Sequence, residues 1–162
     1  MSGMRRKEKE ITDKAVIEEV LRENEVGRLA LLVDNQPYIV PLNFVYFDGK
    51  IFFHSHKDGK KMRAISKNPK VCFEVDSGEM VKSDKPCDFT WKYRSVIVEG
   101  TASVLSDARE RLSVMKRLSD KYSPGKGEML TAMDLEKNPQ LIIVEIRVGE
   151  MTGKKSPIKP DS

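Results

Sequence analysis

Two connections too short to cross a sheet decide most of what this chain can become. Residues 28–33 (RLALLV) and 38–47 are rich in apolar, aromatic and β-branched side chains, and only Asp34-Asn35-Gln36-Pro37 separates them as a turn. Asp48-Gly49 then leads straight into residues 50–55, and Asp-Gly favours a two-residue hairpin. A parallel pair needs a crossover of roughly a dozen residues or more, so these strands run antiparallel. Further strands are expected at 71–76, 90–105 and 141–148, which makes six or seven in all.

Helices interrupt the strands without displacing them. Thr12 and Asp13 can cap a helix that carries Val16, Ile17, Val20 and Leu21 on one face and stops at Gly27. Met62 and Ile65 have helical spacing in Lys60–Lys67, which Pro69 closes. Asp107 and Glu110 resemble a capping box ahead of Ala108, Leu112, Met115 and Leu118. Residues 77–88 and 122–130 read as loops. The pattern is mainly β with covering helices, a small antiparallel barrel. Pro41 cannot donate to a ladder, so its strand lies at an edge or bulges there. Gly100, among Val96, Val98, Ala102 and Val104, marks a bend in a long strand.

At 162 residues this is one domain at 11–150, after a flexible segment at 1–10 and before a basic tail at 151–162. The 29 basic residues face 25 acidic ones, too slight an excess to argue for nucleic acid. Phe52, Phe53 and Trp91 near the lysines could imitate a single-strand platform, but aromatics in small-barrel strands belong to the core more often. No apolar run approaches the roughly 18 residues of a membrane span, so a soluble, cytoplasmic protein is expected. Cys72, within VCFEV, reads as a buried packing residue, and Cys87 lies in a polar loop. With no CxxC pair and no histidine beside either cysteine, no metal site is expected.

The chemistry concentrates where the second hairpin ends. His54, Ser55, His56, Lys57, Lys60 and Lys61 lie together, and between His54 and Lys70 six Lys/Arg face the single acid Asp58. A helix starting after Gly59 presents free N–H groups and a positive dipole end, so the cluster suits a phosphate; a solvated basic face is equally consistent with it. Side-chain catalysis has little support, because there is no G-x-S-x-G elbow and no paired carboxylates, so a cofactor would carry any reaction. Glu74 and Glu99 read as lining or solvent-facing groups.

The run Val40-Pro41-Leu42-Asn43-Phe44, then Ile51-Phe52-Phe53-His54-Ser55, Gly59-Lys60-Lys61, Val71-Cys72-Phe73-Glu74-Val75, and Tyr93-Arg94-Ser95-Val96 with Gly100-Thr101-Ala102 resembles the pyridoxamine 5′-phosphate oxidase-like FMN-binding split-barrel proteins. Within them it is most similar to the nitroimidazole-resistance (Nim-type) branch, over roughly residues 4–150. The resemblance implies a six-stranded antiparallel split β-barrel and a homodimer with FMN at each of two sites between subunits. By that pattern His54, Ser55, Lys60 and Lys61 meet the phosphate and ribityl end, and Pro41, Leu42 and Asn43 lie along the ring. Tyr93, Arg94 and Ser95 contribute from the same or the opposite subunit. His54 is also carried over as the catalytic candidate beside the flavin. The activity implied is an oxidoreductase passing electrons from NAD(P)H through FMN to a small acceptor such as a 5-nitroimidazole. The alternative is a non-catalytic flavin or haem carrier or sensor on the same barrel. The basic C-terminal substrate motif of true pyridoxamine phosphate oxidases is missing, and Gly153-Lys154-Lys155 is a poor substitute for it.

Overall fold

The computed structural model describes residues 5–157. In chain order it contains β1 (Glu10–Ile11), α1 (Lys14–Glu23), β2 (Val26–Val33), β3 (Gln36–Asn43), β4 (Val45–Phe47), β5 (Lys50–His56), α2 (Lys60–Lys67), β6 (Lys70–Val81), β7 (Thr90–Val104), α3 (Ala108–Tyr122), α4 (Ala132–Glu136) and β8 (Leu141–Lys155). The strand ladders are antiparallel and follow the order β3-β2-β6-β7-β8-β5-β4, with β1 on the end of β8. The mainly β, antiparallel split barrel is therefore present, with eight strands among the described residues where six were expected. Two features account for the difference. β1 adds a two-residue strand, and the expected strand at 38–47 breaks at Phe44 into β3 and β4.

That break closes the barrel. β3 and β4 stand at opposite ends of the strand order, yet only Phe44 separates them in the chain. The two ends of the sheet are thus joined through a covalent backbone rather than a ladder. β3 pairs only with β2, so Pro41 does lie at an edge.

The first hairpin is tighter than the four-residue turn expected at 34–37, and the second is the two-residue Asp48-Gly49 turn expected. Asp34 and Asn35 have φ of 49° and 62°, and Asp48 and Gly49 have 50° and 70°, so both turns are two-residue and left-handed at each centre. Gln36 and Pro37 already belong to β3. Gly100 marks an irregularity as expected: the β7–β8 register shifts between Glu99 and Gly100, leaving Gly149 as the extra residue.

Several expected boundaries move. The loop at 77–88 shrinks because β6 and β7 continue pairing from Ser77↔Arg94 to Val81↔Thr90. This ribbon projects with both faces wet, so it lacks the alternation that marks a half-buried strand. The segment at 122–130 begins inside α3 and includes a 3-10 turn at Gly127–Met129. Of the tail at 151–162, residues through Lys155 belong to β8, where Gly153 faces Ile11 in β1. The flexible segment at 1–10 holds a 3-10 turn at Lys7–Lys9 and the start of β1, while its first four residues lie outside the described ones. Gly27 does not end α1: the helix stops at Glu23, the Asn24 amide donates to the Val20 carbonyl, and Gly27 sits inside β2.

The caps themselves stand where expected, with Asp13 accepting from the Ala15 amide and Asp107 from the Glu110 amide. The barrel interior is filled by Leu29, Phe44, Ile51, Phe53, Phe73, Val75, Val96, Val98 and Ile146, with Val20 and Leu21 of α1 and Met62 and Ile65 of α2 packed in. A second cluster, outside the barrel, sandwiches Phe52 and Ile143 against Val114 and Leu118 of α3. Phe52 and Phe53 are thus both buried, and neither can stack a base. Cys72 departs from the buried packing role: it is half-buried on the outer face of β6, where burial and the nearby Glu99 and Glu74 push its thiol pKa up.

Candidate functional site

The helix that follows β5 starts without a side-chain cap. Gly59 is the N-cap of α2 and supplies no hydroxyl or carboxylate, so the first amides of the helix have none to bond. Lys60 and Lys61 open the helix. Lys60 is exposed, with its Nζ 4.4 Å from the centre of the Tyr38 ring. Lys61 is half-buried, burial lowers its pKa, and it has no ion-pair partner among the described residues. Arg63 donates to the Asp58 carbonyl oxygen at 2.9 Å rather than to a carboxylate. A desolvated cation without a counter-charge, beside an uncapped helix start, has the electrostatics that favour an anion.

Period-two alternation divides the rest of the expected cluster. His54 points out of the barrel and Ser55 points in. The Ser55 hydroxyl is buried and donates to the His56 carbonyl at 3.1 Å. The His56 Nδ1 accepts from the Asp58 amide at 3.2 Å, so this histidine shapes the turn into α2. His54 keeps its ring free, and its pKa is lowered, mainly by burial and further by the Lys61 charge. Both effects favour the neutral imidazole.

On its outer side His54 faces an open cleft of ≈ 680 Å³ between Asn43 at the end of β3, α3, and the segment leading into α4. Asn43 and His54 are the two expected site residues that meet in it. Pro41 is exposed and Leu42 half-buried along the β3 edge. Tyr93, Arg94 and Ser95 are not brought to this region within one chain. Arg94 is held by Glu23 at 2.8 Å and Glu19 at 3.4 Å on α1, and the Tyr93 amide donates to the Ser156 hydroxyl at 2.9 Å.

Sequence reasoning missed Tyr122, which organises the cleft wall. The Phe44 amide donates to its hydroxyl oxygen at 2.8 Å, and the hydroxyl proton lies between the Glu25 and Phe44 carbonyls at 2.7 and 2.8 Å. The groups that lose ladder partners where β3 becomes β4 are satisfied by this one phenol. Next to it Lys121 donates to the Asn24 carbonyl at 2.6 Å, lies 3.9 Å from the Phe44 ring centre, and has its pKa pushed down to about 8 by burial. Nothing in the sequence around Tyr122 announces that the end of α3 folds back on residue 44. Tyr122→Phe is expected to cost about 1–3 kcal/mol by leaving Phe44 groups unsatisfied, lowering Tm by several degrees in a thermal melt. An unchanged melt would show that water replaces the hydroxyl.

The architecture and sequence both have known counterparts. A family model described as pyridoxamine 5′-phosphate oxidase matches residues 13–155. An uncharacterised protein of Rhizobium meliloti is 23% identical over 135 residues, 83% of this chain and 87% of that one. Among solved structures, a candidate 5-nitroimidazole antibiotic resistance protein from Bacteroides thetaiotaomicron superposes with a TM-score of 0.77 at 21% identity, covering 90% of this chain and 85% of that chain. The FAD and haem binding protein from Mycobacterium smegmatis gives 0.83 at 21% identity, with 95% and 76% covered. An FAD-binding protein from Mesorhizobium loti gives 0.61 at 26% identity, with 89% and 95% covered. The match spans the barrel from the cap of α1 to the last residue of β8, and the chain belongs to the pyridoxamine 5′-phosphate oxidase family.

Proposed function

We propose that this chain binds FMN, with the phosphate at the start of α2 and the ring along the Pro41–Asn43 edge, and serves as an oxidoreductase between NAD(P)H and a small acceptor. The observation that carries the reading is Lys61, a half-buried cation with no ion-pair partner among the described residues, beside the uncapped first turn of α2. Family membership and the FAD-binding and FAD- and haem-binding relatives support a flavin as the anion's owner. FMN rather than FAD is favoured because the cations gather at a single helix start, as one phosphate monoester requires.

A bound flavin would supply two-electron chemistry, accepting hydride from a nicotinamide and passing electrons on. The chain's own contribution is positional and electrostatic. Lys60, Lys61 and the α2 amides hold negative charge. The β3 strand, paired on one side only, leaves backbone groups free to meet a ring edge. His54 has a ring nitrogen free to take up a proton at the cleft, becoming a cation as it does so and returning to its favoured neutral form when the proton leaves.

A second copy of the chain would complete the arrangement. Val26, Leu32, Ile39 and Ile97 stand exposed on the outer face of β2, β3 and β7, beside the Arg28–Glu74 ion pair. Such a homodimer would let Tyr93, Arg94 and Ser95 of one subunit serve the other's site. The alternative, a flavin or haem carrier or sensor without turnover, draws support from the absence of any paired acid and base beside His54 among the described residues. The test is a visible spectrum of the purified protein before and after FMN addition. FMN-loaded protein is expected to bleach with NADH or NADPH without oxygen and regain colour with a nitroaromatic. A colourless protein after reconstitution would refute the flavin reading, and a bound flavin that no nicotinamide reduces would leave the carrier.

A further inference from the structure

We propose that Lys121 is a covalent modification site, acylated by small acyl phosphates that enter a second pocket on the opposite side of α3 from the His54 cleft. The inference is independent of the flavin reading. Met115, Leu118, Ser119 and Tyr122 of α3 line the cleft, whereas Arg117 and Lys121, four positions apart, line the pocket behind it. That pocket has a volume of ≈ 430 Å³ and is floored by Val45–Phe47 of β4, with Arg22 of α1 on its far side. Its volume falls in the range of small-molecule sites.

Geometry sets this amine apart. Lys50, Lys67, Lys92 and Lys116 each lie 2.7–3.7 Å from a carboxylate, which holds their protons in place. The Lys121 Nζ instead meets the Asn24 carbonyl at 2.6 Å and the faces of Phe44 and Tyr122, 3.9 and 5.5 Å from their ring centres. Lys61, also half-buried, stands at the start of α2 and is outside this pocket. Burial of Lys121 outweighs the opposing pull of Glu25 and brings its pKa to about 8. About half of such an amine is neutral at pH 8, against under about 1% for an ordinary lysine. A partly desolvated, neutral lysine is an activated nucleophile.

The guanidinium beside it selects the donor. Arg117 lies 4.4 Å over the Phe47 ring centre and has no ion-pair partner among the described residues. Arg22, 5.5 Å over Tyr46, is already paired with Glu18 at 2.7 Å. Asp120, the carboxylate in the lining, accepts from the Gly127 amide at 2.7 Å. Arg117 is therefore the cation left to meet a phosphate, which it can grip bidentately. The Lys121 lone pair then adds to the acyl carbon, and a C–N bond forms. The C–O bond to phosphate breaks with its electron pair leaving on the phosphate, which also receives the surplus amine proton. The products are an uncharged amide beside the Phe44 ring and inorganic phosphate, and no oxidant or reductant is consumed.

The test treats the full chain with acetyl phosphate at pH 8 and follows each lysine by peptide mass spectrometry. Lys121 is expected to acetylate at least about tenfold faster than the exposed Lys126, and the preference should vanish in concentrated urea. Arg117→Ala, at an exposed position, should slow acetyl phosphate at Lys121 by about fivefold or more. The uncharged reagent acetic anhydride should react there within about twofold of its rate on the unsubstituted chain. Three results would each overturn the assignment: Lys121 labelled no faster than Lys126, a preference that survives in urea, or an Arg117→Ala variant in which both reagents change alike. The anhydride also detects a misfolded variant, because loss of the fold would change its rate at Lys121 as well.

Discussion

Replacing Lys60 and Lys61 together by alanine is expected to weaken FMN binding by about 2–3 kcal/mol, roughly 30- to 150-fold in Kd. Lys61 carries most of it. It is held half out of water without a counter-charge, so a phosphate there would relieve a desolvation cost as well as form a charge-assisted hydrogen bond. Lys60, exposed over Tyr38, is screened and contributes less. The same reasoning fixes an opposite sign for the empty chain. The pKa of Lys61 is lowered from 10.5 by burial, so the folded state holds that proton less tightly than the unfolded chain does. Its charge therefore opposes folding at neutral pH, and the penalty fades only as pH rises through the lowered value towards 10.5. Lys61→Ala should leave the FMN-free melting temperature unchanged or raised while lowering that of the FMN-loaded protein. Fluorescence titration of FMN checks the affinity. An unaltered Kd in the double variant would remove the phosphate from α2.

Gly27→Ala is expected to destabilise the chain by about 3 kcal/mol, with Tm falling by roughly 6–12 °C. A Cβ at this position would lie 2.0 Å from the tip of the Phe73 ring and within 2.8 Å of both its neighbouring atoms. Phe73 cannot step aside freely. It is fully buried, and its ring meets Phe44 edge-on with centroids 4.8 Å apart. Phe44 is the residue at which β3 passes into β4 and on which Tyr122 closes. A methyl group on β2 therefore presses, through two rings, on the junction that holds Asn43 at the cleft. Phe73→Leu by itself costs core packing, but combined with Gly27→Ala it opens the space the methyl needs. Thermal unfolding of the two single variants and the double should show strong non-additivity, of about 1 kcal/mol or more. Simple addition of the two losses would mean that the backbone, not Phe73, yields to the new methyl.

These three residues also mark what local sequence reads and what it misses. Lys60 and Lys61 are adjacent to Gly59 in the chain, and the properties of a helix start depend on its first few residues alone, so the cluster was legible. Gly27 reads locally as a helix stop, because glycine after an amphipathic run commonly is one. Its actual role is to leave room for the ring of Phe73, a residue of β6 that lies 46 positions further along the chain. Ser55 fails for a related reason. It neighbours His54 in the sequence, but in a strand neighbours point to opposite faces, so one joins the core and the other the cleft.

From its sequence alone the chain determined its class: antiparallel strands joined by short turns, the second of them the two-residue Asp48-Gly49 turn, helices capped at Asp13 and Asp107, a proline confined to an edge or a bulge, and the cations of α2 in one place. All of these depend on interactions between residues a few positions apart, where propensity and turn geometry dominate. Only the tertiary structure decided how the barrel closes at Phe44, that Tyr122 seals that break across 78 residues, and that His54 fronts a cleft walled by α3. Tertiary structure also separated Arg94 from the lysines by tying it to α1. Such choices rest on which distant surfaces fit and which orphaned backbone groups find partners, and no local pattern encodes either.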